Sequence, residues 1–90
     1  MNTIYKYPVK WDRVSKTSAE VCIDSRIIDF GFQGNELYLW AIVDTAYTET
    51  KEIELEIYGT GWEIDRPNEL KHLKTLQQDS CVWHIFVRNK

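Results

Sequence analysis

The chain is short of the residues that mark the commonest chemistries. Ninety residues contain two cysteines, two histidines, two prolines and four glycines. Two cysteines allow at most one internal disulfide. Cys22 and Cys81 do not combine with His72 and His84 in a zinc-finger spacing, so free buried thiols and no bound metal or other cofactor are expected. No G-x-G-x-x-G fingerprint and no P-loop occurs. Nowhere are there roughly eighteen consecutive apolar residues, so a helical membrane span is excluded. The N-terminus lacks the apolar region and small-residue cleavage site of a secretory signal, which leads to the expectation of a cytoplasmic protein with no membrane partner.

Positive charge is also scarce. Eleven basic against fourteen acidic residues give a net charge of −3. That balance opposes a general nucleic-acid-coating role, although Lys6, Lys10, Arg13 and Lys16 gather near the start. Acidic residues gather at Glu49, Glu52, Glu54 and Glu56.

What the chain does have is apolar and aromatic. Hydrophobic residues make up 43% of it, enough for one thin-cored domain spanning residues 1–90. Four tryptophans, five tyrosines and three phenylalanines supply much of the available burial. The segment 37–43, Leu-Tyr-Leu-Trp-Ala-Ile-Val, is apolar at every position. Strand side chains alternate between faces, so both faces of this strand need cover. Residues 82–87 repeat the feature, with Trp83, Ile85 and Val87 on one side and Val82, His84 and Phe86 on the other. A second layer, a partner subunit or a ligand would each supply that cover.

Period-two patterning predicts most of the remaining elements as strands. Tyr5, Tyr7, Val9 and Trp11 alternate with Lys6, Pro8 and Lys10; Pro8 cannot donate to a ladder, which predicts an edge strand. A short strand over 19–23 would turn Val21 and Ile23 inward. Over 26–32, Ile28, Phe30 and Phe32 share one face, and Gly31 marks a bulge or a close backbone approach. Gly34-Asn35 predicts a tight hairpin turn. Over 51–58, Ile53, Leu55 and Ile57 face inward while Glu52, Glu54 and Glu56 form a wet face. Residues 70–77 fit a short helix or a strand paired to the last one. The fold expected is mainly β: a small curved antiparallel sheet or half-open barrel, with at most one short helix.

The pieces Tyr5-Lys6-Tyr7-Pro8, Leu39-Trp40-Ala41-Ile42-Val43-Asp44, Ile57-Tyr58-Gly59-Thr60-Gly61 and Val82-Trp83-His84-Ile85-Phe86 resemble, in this order, a family of small and largely uncharacterised tailed-phage and prophage proteins. That likeness assigns no catalytic residue. In similar proteins a Gly-Thr pair precedes the last strand, where this chain has Lys74-Thr75; the comparison tips 70–77 toward strand. The resemblance implies an accessory protein in the host cytoplasm that acts by binding.

The expectation is therefore a self-associating, non-enzymatic binding protein. Its most concrete form is counter-defence, by capture of a host protein or of a signalling nucleotide. Tyr38, Trp40, Ile42, Trp83 and Phe86 are the candidate interface. Gly59, Thr60, Gly61, Trp62, Arg66, Lys74 and His84 are the candidate nucleotide contacts, with ring stacking on Trp62 and the glycine turn around phosphate. The rivals are a small virion structural or assembly protein and a minor nucleotide hydrolase using His84 as base. No residue is assigned a catalytic role.

Overall fold

The computed structural model describes residues 1–89. It contains seven strands, β1 (Asn2–Pro8), β2 (Lys16–Cys22), β3 (Ser25–Gln33), β4 (Glu36–Asp44), β5 (Thr50–Gly59), β6 (Leu70–Gln78) and β7 (Cys81–Arg88), with one 3-10 turn at Pro67–Glu69. They form two antiparallel sheets. One has the order β1-β4-β3 and the other β2-β5-β7-β6. The mainly β, antiparallel fold with one short helical turn is the one the alternation predicts. The sheets do not close into a barrel.

The second sheet answers the need for cover. Leu37, Leu39, Ala41 and Val43 of β4 share a core with Leu55, Ile57, Trp83 and Ile85 of the opposing sheet. Leu39, Ile57 and Ile85 are fully buried. Each such aliphatic side chain withdrawn from water contributes about 1.5–3 kcal/mol before the entropy of ordering it is counted. The other side of β4, carrying Tyr38, Trp40 and Ile42, is half-buried.

Local chemistry explains the turns. Gln33 pairs with Glu36 across a two-residue loop. Gly34 takes φ +63, whereas Asn35 keeps a negative φ. A positive φ at the first loop position alone is the II′ pattern, whose twist suits a hairpin. Asp79, at φ 54, opens the equally short turn between β6 and β7, where Gln78 pairs with Cys81. Residues 70–77 are therefore strand. As Pro8 requires, β1 is an edge strand.

Four expectations are corrected. A bulge in β3 between Ile27 and Asp29 takes Ile28 off the face of Phe30 and Phe32. The extra residue there turns Ile28 out to 47% exposure and lets Ile27 pack on the core. Gly31 takes the second of its two expected roles, the close backbone approach, since a Cβ on it would lie 3.3 Å from the Trp40 ring. Ile23 lies just past the end of β2 and is exposed. Both cysteines are free, but only Cys22 is buried; Cys81 sits exposed beside the last turn. Lastly, Glu56 is not on a wet face: it is 7% exposed, while Glu52 and Glu54 are exposed as expected.

Candidate functional site

Three of the segments singled out in the sequence meet on the outer face of the four-stranded sheet. Pairing sets Tyr58 opposite His84 and Thr75 opposite His84 on its other side. Thr60, the first residue beyond β5, lies 2.8 Å from His84 Nε2 through its Oγ1. On the other side of the ring, Thr75 Oγ1 is 3.1 Å from His84 Nδ1 and 2.7 Å from His72 Nε2. The result is a line Thr60–His84–Thr75–His72. With neutral rings the line can run Thr60 donating to His84, His84 donating to Thr75, and Thr75 donating to His72. The reverse order is equally complete. His84 is half-buried, and the other three are exposed.

The bulge of β6 between His72 and Lys74 creates this line. The extra residue, Leu73, packs on the core and puts His72 and Thr75 on the same outer face. The sequence spacing of His72 and Thr75 alone would place them on opposite faces of a regular strand. His72 also stands edge-on to Phe86, at 5.4 Å between ring centres.

The glycine turn is built tightly. Trp62 N–H donates to the Gly59 carbonyl, and Gly61 holds φ +90, as a type II turn requires at its third residue. Thr60 N–H donates to the Val82 carbonyl. Two of the turn's N–H groups are thus committed within the chain and unavailable to a phosphate. A Cβ on Gly59 would lie 2.8 Å from Trp62 Nε1, so only glycine leaves room for that ring. Trp62 is 42% exposed and stands edge-on to Trp83 at 5.4 Å. Trp83 meets Trp11 edge-on at 4.7 Å, and Trp11 meets Phe32, so aromatic rings close this end of the core.

The other candidate contacts lie apart. Lys74 reaches across to Asp29 of β3 at 3.0 Å, joining the two sheets at their edges. That ammonium holds the Asp29 carboxyl below its usual range, with help from the Phe30 N–H. Arg66, in the left-handed region at φ 47, pairs with Asp65 and Glu69. Its groove is about 530 Å³ and is lined by Lys16, Glu52, Glu54, Glu56 and Arg88 among others. The structure therefore joins Thr60 to His84 and Gly59 to Trp62, but gives Arg66 and Lys74 separate carboxylate partners.

Sequence reasoning missed the cluster beneath that groove. Arg88 Nε lies 2.5 Å from Glu56 Oε2 and its Nη2 lies 2.8 Å from Oε1. Arg88 also donates to the carbonyls of Asp65 and Arg66, fastening the connection after Trp62 onto the sheet. Tyr58 donates to Glu56 at 2.5 Å. Arg88 holds the Glu56 carboxyl down to about 2 against the opposing effect of burial. Burial, then the adjacent carboxylate, pushes the Tyr58 hydroxyl up. The period-two pattern pointed to solvent here because it carries no information about Arg88, far along the chain.

Of the candidate interface residues, Trp83 is 7% exposed and belongs to the core. Its place opposite Gly59 turns it inward. Phe86 is half-buried beside Tyr58 and His72. Tyr38, Trp40 and Ile42 share the outer face of the three-stranded sheet. There, pairing sets Ile4 beside Ile42, Lys6 beside Trp40 and Pro8 beside Tyr38. Among the described residues, no three metal-ligating side chains cluster, and no helix is long and apolar enough to cross a membrane.

A family model described as a domain of unknown function (DUF7352) matches residues 1–90. No curated protein and no solved structure matches the chain.

Proposed function

The chain belongs to the DUF7352 family, and we propose that it acts by binding, as a self-associating protein without a reaction of its own. What carries this reading is the outer face of the three-stranded sheet. Of its two central cross-strand pairs, Ile4 with Ile42 is apolar, and Lys6 with Trp40 sets a lysine stem beside an indole ring. Ile4 is 56% exposed. The Lys6 ammonium stands 4.5 Å over the Tyr38 ring, which leaves its stem along the stripe. An antiparallel sheet with one face in a core normally keeps its other face polar. Stacking this face on that of a second copy would bury Ile4, Trp40 and Ile42 at the centre, in a two-fold arrangement. The setting is the one that the phage-protein resemblance implies: an accessory protein that captures a host component, a protein or a signalling nucleotide.

Light scattering on the eluting protein tests the reading over a wide concentration range. The expected result is an oligomer that Ile42→Asp or Ile4→Asp converts to a folded monomer. A wild-type monomer throughout, or an oligomer indifferent to both substitutions, would sink it.

One observation favours a second reading, a hydrolase. Thr60, His84 and Thr75 stand in the order of nucleophile, base and orienting group, at hydrogen-bond distances. It ranks second because two N–H groups of the turn that could serve a developing oxyanion, those of Thr60 and Trp62, are spent on Val82 and Gly59. Nucleotide or ester turnover that survives purification and disappears in His84→Ala would reverse the ranking.

A further inference from the structure

The two sheets do not cover each other evenly. Tyr5 and Tyr7 point to the inner side of β1, since their pairing partners Ala41 and Leu39 are fully buried on the same face. Yet Tyr5 remains 47% exposed. An inward aromatic side chain half open to water means that the core is unfinished there. The gap is a cavity of about 360 Å³. Its walls include Tyr5, Tyr7, Tyr47 and the buried Cys22, and its rim includes Asp44 and Glu49.

The walls are fixed. Tyr7 Oη accepts the Cys22 N–H at 3.2 Å, and the Tyr5 ring stands edge-on to it at 6.2 Å. The Cys22 thiol donates to the Tyr47 carbonyl at 3.8 Å, tethering the segment that carries the third ring. The lining residues carry acidic charge and no basic side chain: no Lys, Arg or His lines the cavity, and the charged residues that do are Asp44 and Glu49. Asp44 already accepts a primary ammonium, that of Met1, at 3.2 Å, and the Ala46 N–H at 3.0 Å. Those two donors, the Ala46 amide first, hold its carboxyl below the usual range. Among the described residues, no cation pairs with Glu49.

We propose that this opening between the sheets binds a small organic cation, an N-alkylated ammonium whose apolar body stands against Tyr5, Tyr7 and Tyr47 and whose charge faces Glu49. Ring faces are electron-rich and attract a cation, most strongly when it is desolvated. A phosphate or carboxylate ligand would meet the Glu49 carboxylate, with no Lys, Arg or His in the lining to offset it. An uncharged ligand of the same shape would gain the contact with the rings but neither electrostatic contribution. The site is separate from the face proposed for self-association, so either idea can fail alone.

The probe is choline, titrated at low salt into the isotopically labelled full chain and followed by amide chemical shifts. A second titration uses its carbon isostere, with tert-butyl in place of trimethylammonium. Choline is expected to shift the amides of Tyr5, Tyr7 and residues 45–50 saturably, and the isostere is expected to leave them in place. Tyr47→Ala and Glu49→Gln alter exposed side chains, and unchanged spectra elsewhere will confirm that they fold. Tyr47→Ala is expected to weaken binding roughly tenfold, and Glu49→Gln to weaken it severalfold. No saturable shift, equal binding of the isostere, or affinity indifferent to Tyr47→Ala would each overturn the proposal.

Discussion

Arg88 grips both carboxylate oxygens of Glu56 at 2.5 and 2.8 Å, and both side chains are nearly withdrawn from solvent. Pairs of this kind are costly to halve. Arg88→Ala leaves a buried carboxylate without its cation and is expected to cost about 3–5 kcal/mol. The double variant Glu56→Leu with Arg88→Met removes both charges and keeps the volume. It is expected to be clearly more stable than Arg88→Ala in urea denaturation. Equal instability of the two would show that the bonds from Arg88 to the Asp65 and Arg66 carbonyls dominate instead.

The same pair sets an acid limit. Glu56 ordinarily titrates near 4.5 and is held to about 2 in the fold. A depressed folded value favours the folded state above the unfolded value, and the contribution fades as pH falls toward 2. It amounts to something on the order of 3 kcal/mol. Urea midpoints measured between about pH 6 and pH 2 should fall more steeply for wild type than for Glu56→Gln. Parallel curves would mean that Glu56 keeps its ordinary titration in the fold.

Gly59 and Trp62 should behave as a unit. Gly59→Ala pushes the Trp62 ring from its seat, so tryptophan fluorescence should shift and stability should fall by about 1–2 kcal/mol. In Trp62→Ala the clash partner is gone, and adding Gly59→Ala should then cost little. Additive losses would place the strain in the backbone.

Trp83 carries a buried indole N–H without a nitrogen or oxygen partner among the described residues. Its neighbours are the edge-on rings of Trp11 and Trp62. Trp83→Ala should cost about 3–5 kcal/mol. Trp83→Phe removes the orphan donor together with some volume, so it should retain well over half of that stability. Thermal melts distinguish the two; equal losses would point to a partner for the N–H that the geometry does not contain.

The strands were legible because their signals are local. Alternation along 51–58, the Gly34-Asn35 turn and Pro8 at an edge each depend on a few neighbouring residues. The misread positions depend on distant ones. Ile27 and Ile28 are adjacent and equally apolar, and only the pairing of β3 with β4 decides which one turns inward. Glu56 continues a perfect alternation of glutamates, yet Arg88 and the connection over it make that position a buried one. The Thr60–His84 contact was half visible, since both residues were candidate ligand contacts. Its continuation through Thr75 to His72 was hidden by a bulge that leaves no glycine or proline in the sequence. The doubly apolar strand 37–43 showed that a cover was needed without showing that most of it would come from the same chain.

The interleaving of the two sheets governs how the molecule can come into being. β2 lies between β1 and the β3–β4 hairpin in sequence, but it pairs with β5 on the opposite layer. β1 must meanwhile reach past β2 to pair with β4. During synthesis the three-stranded layer can form first, but its apolar side stays bare until β5 and β7 emerge. The chain should therefore collapse in one late, cooperative event, on the slower millisecond-to-second scale of distant strand pairing. Until then, the nascent chain would expose the apolar surfaces that chaperones and aggregation compete for.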